Sequence, residues 1–222
     1  MDRRSGWNKN EYQVQVGDNI TLEGNLEVPD NPQGVVLFAH GSGSSRHSPR
    51  NQFVGRVLQD AGFATLLIDL LTPQEEDEDR FTGHLRFDID LLSQRVVGAT
   101  NWLGVNPVTQ NLKIGYFGAS TGAAAALVAA AEHPLAVGAV VSRGGRPDLA
   151  RTYLTKVLTP TLLIVGLKDT QVLELNRMVL SLLRGEKQIE IVPGATHLFE
   201  ESGALEKVAQ LASDWFKRYL AP

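Results

Sequence analysis

The residues best placed to do chemistry are Gly118-Ala119-Ser120-Thr121-Gly122, where an apolar run, Lys113 to Phe117, ends in a serine between glycines and passes into an alanine-rich segment. This pattern predicts a strand, a sharp turn and a helix. The turn holds the serine in a sparsely populated backbone conformation costing ~1–3 kcal/mol, and glycines two residues away on either side remove the Cβ atoms that would collide there. Ser120 Oγ then projects above a sheet. The following helix aims its amino terminus at the same spot, so negative charge developing on a bound carbonyl oxygen is stabilised. The chemistry implied is acyl transfer. In a chain with 21 glycines the same five residues also read as an ordinary Gly-Ser turn, so the partners decide.

A serine of this kind needs a base to take its proton, and the base needs an acid to hold its tautomer. Both follow in the order Ser, Asp, His. The run Thr161-Leu162-Leu163-Ile164-Val165-Gly166 reads as a buried parallel strand with Asp169 just past its carboxyl end, and Gln188 to Val192 reads as a second strand, followed by a turn carrying His197. All three side chains then lie on the rim outside the carboxyl ends of the strands, where open α/β sheets bind ligands. Asp169 also reads as a cap of the helix beginning near Val172. The other histidines fit less well, since His133 precedes Pro134 at a helix end, His84 begins a helix and His47 sits in a polar loop. Asp69 follows a strand that lies before the serine in sequence.

A tetrahedral oxyanion needs two donors, and the backbone N–H of Thr121, immediately after the nucleophile, supplies one by geometry. The second is expected from the backbone N–H of Ser42. It lies in His40-Gly41-Ser42-Gly43-Ser44 at the end of the apolar strand Gly34–Ala39, where glycines let the main chain approach a ligand. His40 reads as a residue that fixes this loop.

The elements needed to position these residues are legible from patterning. Tyr12–Val16 and Ile20–Val28 alternate as an antiparallel pair, after which strands alternate with helices near Gln52–Ala61, Leu85–Leu103, Gln171–Leu183 and Leu205–Leu220. Eight strands are predicted, in an α/β fold whose mostly parallel sheet carries helices on both faces. Residues 1–222 suit a single domain. The acidic run Glu75-Glu76-Asp77-Glu78-Asp79 reads as a solvated loop.

Composition narrows the function classes. A net charge of −4 argues against nucleic acid as a partner, and the absence of cysteine excludes disulfides, thiolate metal sites and a cysteine nucleophile. Met1–Trp7 lacks the apolar core of a signal peptide, and the longest apolar stretch, within Gly122–Ala131, is too short to cross a bilayer. The expectation is therefore a cytoplasmic protein with no membrane association. No histidine pair has metal-ligand spacing and no lysine loop cradles phosphate, so neither metal nor cofactor is implied.

From Tyr12 to the last helix, the ordered serine, aspartate and histidine motifs resemble the α/β-hydrolase superfamily, and within it the dienelactone hydrolase type. The resemblance implies an eight-stranded sheet with the second strand antiparallel and a triad of Ser120, Asp169 and His197. Dienelactone hydrolases proper have cysteine where this chain has Ser120, which implies a broader esterase acting on a small-molecule ester or related acyl bond. The segment Ser142–Asp148 looks like one seen in similar domains joined to phosphoribosyltransferases. Many relatives insert a cap domain after the strand ending at Val141. Here only a short loop intervenes, so no large cap is expected. Arg143 and Arg146 on that loop, with Arg46 on the His40 loop, are expected to favour a substrate bearing a carboxylate or phosphate. The alternative reading is a small-molecule-binding or regulatory module on the same fold, with vestigial or slow catalysis.

Overall fold

The computed structural model describes residues 10–221. The amino-terminal stretch Met1–Trp7, read above for its lack of an apolar core, lies outside the described residues. Within them the chain runs β1 (Asn10–Gly17), β2 (Ile20–Glu27), β3 (Val35–Ala39), α1 (Pro49–Asp60), β4 (Ala64–Ile68), α2 (Pro73–Thr82), α3 (Ile89–Val105), β5 (Ile114–Ala119), α4 (Thr121–Glu132), β6 (Val137–Arg143), β7 (Thr161–Gly166), α5 (Thr170–Leu182), β8 (Lys187–Val192) and α6 (Ala204–Leu220). Short 3-10 segments lie at Leu85–Phe87 and Pro147–Lys156.

Eight strands form one sheet in the order β1-β2-β4-β3-β5-β6-β7-β8. β2 runs antiparallel to both β1 and β4, and every later pairing is parallel. The continuous apolar runs at β3, β4, β5 and β7 are buried along their whole length, as strands covered on both faces must be. One face packs against α3 and α4, with Leu103, Tyr116, Leu127 and Val140 in its core. The other packs against α1 and α6, with Phe38, Phe117, Trp215 and Phe216. Because the strands around β5 are parallel, the loops after β3, β5, β6, β7 and β8 all emerge on one rim.

Small residues set the spacing at the centre of the sheet. A Cβ on Gly118 would lie 2.8 Å from Ala123 N, and Ala123 to Ala126 are fully buried, so α4 seats directly on β5. At the opposite rim Leu220, near the end of α6, fills the space above Gly34, Gly115 and Gly138. A Cβ on these glycines would come within 3.0, 2.8 and 2.8 Å of its side chain.

Three elements differ from the sequence reading. The helix expected from Leu85 begins at Ile89, where Asp88 caps it through Leu91 N–H, and Leu85–Phe87 is a separate 3-10 segment. The helix expected from Gln52 begins at Pro49, because Ser48 caps it through Asn51 N–H and proline suits the first helical position. The acidic run Glu75–Asp79 is not a loop but the body of α2. Thr72 and Glu75 form a reciprocal capping box, Pro73 occupies the first turn, and Gly83 closes the helix in the left-handed region (φ 62°).

Candidate active site

Ser120 sits between β5 and α4 with φ 49° and ψ −121°, a strained conformation for a residue with a side chain. Neighbours on both sides hold it there. Its N–H donates to Arg143 O (3.3 Å) and its carbonyl accepts from Arg146 N–H (3.0 Å). Gly122 faces the backbone carbonyls of Ala39 and His40, and a methyl group there would overlap both oxygens. The strain is thus maintained by contacts between β3, β5 and the loop after β6.

Asp169 precedes the first residue of α5, yet its carboxylate does not cap that helix. It accepts a hydrogen bond from His197 Nδ1–H at 2.6 Å, with the Asp169 side chain 14 % exposed and that of His197 39 % exposed. This settles the choice between a capping aspartate and a partner of histidine. It also assigns the tautomer, because a proton on Nδ1 leaves Nε2 with its lone pair free to accept another. His197 and Ser120 flank the same dipeptide, Arg143-Gly144. Arg143 O receives the Ser120 N–H, and the Cβ position of Gly144 (φ 50°) lies 3.5 Å from His197 Nδ1. The competing groups are occupied elsewhere or turned outward. Asp69 accepts from Arg46 N–H (2.6 Å) and pairs with the Arg46 guanidinium, while His47, His84 and His133 are exposed.

The loop after β3 approaches Ser120 closely, since a Cβ on Gly41 would stand 2.8 Å from Ser120 Cβ. Residues 41–44 form a turn closed by Ser44 N–H to Gly41 O (3.1 Å), with Gly43 at φ 69° where such a turn requires a positive value. His40 locks it. Nε2 accepts from Leu70 N–H (3.0 Å), which leaves the proton on Nδ1 to donate to Gly41 O (2.9 Å). Burial outweighs this hydrogen bond and the nearby carboxylates of Asp69 and Glu76, holding the imidazole below its usual pKa range. With the Gly41 carbonyl pinned by two donors, the trans peptide directs the Ser42 N–H the other way. That N–H does not stand free in the cleft as the sequence reading expected. It donates to Thr121 Oγ1 at 2.9 Å.

Gly41, which packs against Ser120, and Thr121, which follows it in the chain, also line a cleft of about 200 Å³. The far wall comes from the loop after β4, from α2 and from the 3-10 segment that follows it, and includes Leu70, Glu76, Asp79 and Arg86. Asp79, 1 % exposed, accepts from Leu85 N–H (2.6 Å) and from the Arg86 guanidinium. Burial alone would raise its pKa, but these donors hold the carboxyl below the ordinary carboxylate range. Sequence reasoning missed this wall. The signal for it was Thr72-Pro73-Gln74-Glu75, a capping box that turns an acidic run into a helix.

None of the three arginines expected to hold an anionic group lines this cleft. Arg46 is neutralised by Glu23 (2.6 Å) and Asp69. Arg146 is gripped through two hydrogen bonds by Asp148, at 2.9 and 2.8 Å. Arg143 is buried (7 % exposed) below the rim and reaches only Asn51 Oδ1 at 3.4 Å. Burial first, and then the charge of Arg50, pushes it down to about 10.

Comparison with known proteins places this chain among its relatives. Two Mycobacterium tuberculosis proteins (strains CDC 1551 and H37Rv), provisionally named phosphoribosyl transferases, are 58% identical over 210 residues, 95% of this chain but 46% of theirs. The chain thus spans about half the length of these curated relatives. The crystal structure of the dienelactone hydrolase from Anabaena variabilis is 62% identical, with a TM-score of 0.92 over 96% of this chain and 99% of that one. Est1E from Butyrivibrio proteoclasticus, at 16% identity and a TM-score of 0.77 over 96% and 98% of the two chains, shares the fold. The model of the dienelactone hydrolase family matches residues 22–220. That span takes in every strand from β2 to β8 and the loops holding Ser120, Asp169 and His197, and the chain belongs to the dienelactone hydrolase family.

Proposed function

We propose that this chain, as one α/β-hydrolase domain, is a serine hydrolase that cleaves a small-molecule carboxylic ester or related acyl bond through an acyl-enzyme on Ser120. The observation that carries the reading is the 2.6 Å hydrogen bond from His197 Nδ1–H to Asp169, beside a serine held at φ 49°. Asp169 fixes the imidazole so that Nε2 accepts the Ser120 proton as Oγ attacks the acyl carbon. The Thr121 N–H, at the amino terminus of α4, meets the developing oxyanion. His197 then returns the proton to the leaving oxygen, and a water activated by the same Nε2 releases the acid. Asp169 stabilises the imidazolium at both stages without taking its proton. The cleft lined by Gly41 and Thr121, the neighbours of Ser120, supplies a place for a small ester beside the nucleophile.

The ion pairs of Arg46 and Arg146 leave the proposed substrate at the level of an ester, without a required negative charge. The phosphoribosyl transferase name belongs to relatives more than twice the length of the matched stretch, and the residues around Ser120 give it no separate support.

The test is labelling by a fluorophosphonate probe and turnover of p-nitrophenyl acetate in wild type, Ser120→Ala and His197→Ala. Both signals are expected in wild type, and turnover is expected to fall ~10³-fold or more in either variant while the fold is retained. A wild type that neither labels nor turns over would overturn the reading in favour of a binding module on a hydrolase fold.

A further inference from the structure

The Thr121 side chain holds a position that the backbone assignment of oxyanion donors leaves unexplained. It is 3 % exposed, begins α4 directly after Ser120, and lines the cleft. Its oxygen accepts the Ser42 N–H at 2.9 Å, while its hydrogen has no acceptor among the described residues. A buried hydroxyl whose oxygen is engaged and whose hydrogen is unengaged is set up to donate, and rotation about Cβ–Oγ can swing that hydrogen toward a ligand oxygen.

We propose that the Thr121 hydroxyl is itself a catalytic donor. The oxyanion is then held by two groups of one residue, its backbone N–H and its Oγ1–H, and Ser42 acts behind them by polarising the hydroxyl. This rests on the serine hydrolase reading above. The chain of donors runs Ser42 N–H to Thr121 Oγ1–H to oxyanion, and no proton changes owner along it. Each link strengthens the next, because a hydroxyl that accepts a hydrogen bond becomes a better donor. His40 sets the origin of the chain by holding the Gly41 carbonyl away, so that the Ser42 N–H can only face Thr121. The Ser42 N–H to Thr121 Oγ1 bond is already present in the ground state, so the arrangement is preorganised around a position where charge appears only during reaction.

The experiment measures kcat and KM for p-nitrophenyl acetate, with fluorophosphonate labelling rates, in wild type, Thr121→Val, Thr121→Ser and Ser42→Pro. Circular dichroism and melting temperature check the fold of each. Valine keeps the shape and removes the hydroxyl, serine keeps the hydroxyl, and proline removes the Ser42 N–H at a turn position that favours it. The expected result is a loss of ~10²-fold in kcat with KM little changed for Thr121→Val. Thr121→Ser should lie within a few-fold of wild type, and Ser42→Pro should lose less than Thr121→Val. A folded Thr121→Val at or above the wild-type rate would show that the hydroxyl merely covers the Ser42 N–H, and would overturn the proposal, as would a larger loss in Ser42→Pro. In both cases wild type still labels at Ser120, so the hydrolase reading stands. A wild type that does not label removes both.

Discussion

The two walls of the cleft are built by different physics. The Ser120 wall, formed by the loop after β3 and by Thr121 next to Ser120, is held by backbone contact through small residues, with Gly41, Gly118 and Gly122 each abutting main chain or Ser120 itself. The opposite wall, from the loop after β4, α2 and the 3-10 segment that follows it, is held by polar side chains, with a capping box at Thr72–Glu75, a pairing of Arg95 with Glu75 (2.6 Å) and the Asp79–Arg86 contact. Backbone packing in a close-packed interior has almost no slack, whereas ion pairs and caps tolerate exchange. Under the proposed function this is a division of labour, with the chemistry on the rigid wall and substrate shape on the adaptable one.

Substitutions on each wall can break or sharpen this contrast. The largest effect is expected for Gly122→Ala, whose new methyl would overlap the Ala39 and His40 carbonyls and cost about 3 kcal/mol or more. Urea unfolding measures it, and an unchanged midpoint would mean that the Ser120 wall has slack after all. His40 joins the two walls, linking Gly41 O to Leu70 N–H. His40→Phe should cost about 2 kcal/mol by orphaning the buried Leu70 N–H, while Gly41 O keeps its bond from Ser44 N–H. Because burial holds this imidazole below 6.5, folded wild type binds a proton less readily than the unfolded chain. Wild-type stability therefore falls as pH drops below that value, and in the phenylalanine variant this part of the acid slope should disappear.

On the adaptable wall, Arg86→Met should lower the melting temperature by a few degrees and raise KM while leaving kcat nearly unchanged. Asp79 contributes stability above its ordinary pKa of 3.8 that is lost as pH falls through its lowered folded value, so the deficit should shrink under strong acid. A kcat loss as large as that of a Ser120-wall variant would remove the distinction between the walls. The smallest effect is expected for Phe81→Ser on α2, where the ring is 92 % exposed and the stability change should stay within about 0.5 kcal/mol. Its KM for esters with bulky acyl groups, compared with acetate, then reports whether this ring contacts substrate.

The same contrast governs how much could be read from the amino-acid order. The Ser120 wall was legible because its requirements are local. A strand, a glycine-flanked serine and an alanine run are contiguous, and Asp169 and His197 each follow a recognisable strand. The other wall was misread because charge density was weighed over pattern. Glu75–Asp79 resembles a self-repelling loop until Thr72 and Glu75 are taken as a box and Asp79 is given its partner at Arg86. The states of Arg46 and Arg146 had the same origin. Their neutralising carboxylates include Glu23, distant in sequence, and Asp148, two residues along, whose orientation only the folded loop defines. The Ser42 N–H was expected to serve as an oxyanion donor, but it turns to Thr121 Oγ1, a direction that depends on His40 reaching across to Leu70.

Leu220 has a consequence for the order in which the chain can complete itself during synthesis. The central sheet leaves gaps at Gly34, Gly115 and Gly138, and the side chain that fills them lies in α6, made only after every strand of the sheet. Since chains emerge from the amino end at about 5–20 residues per second, β5 waits several seconds with this rim unsealed after its own residues have appeared. A nascent chain arrested before Phe216 and Leu220 should therefore be cut by protease near β5 and β6, and emergence of α6 should close that window in a single step.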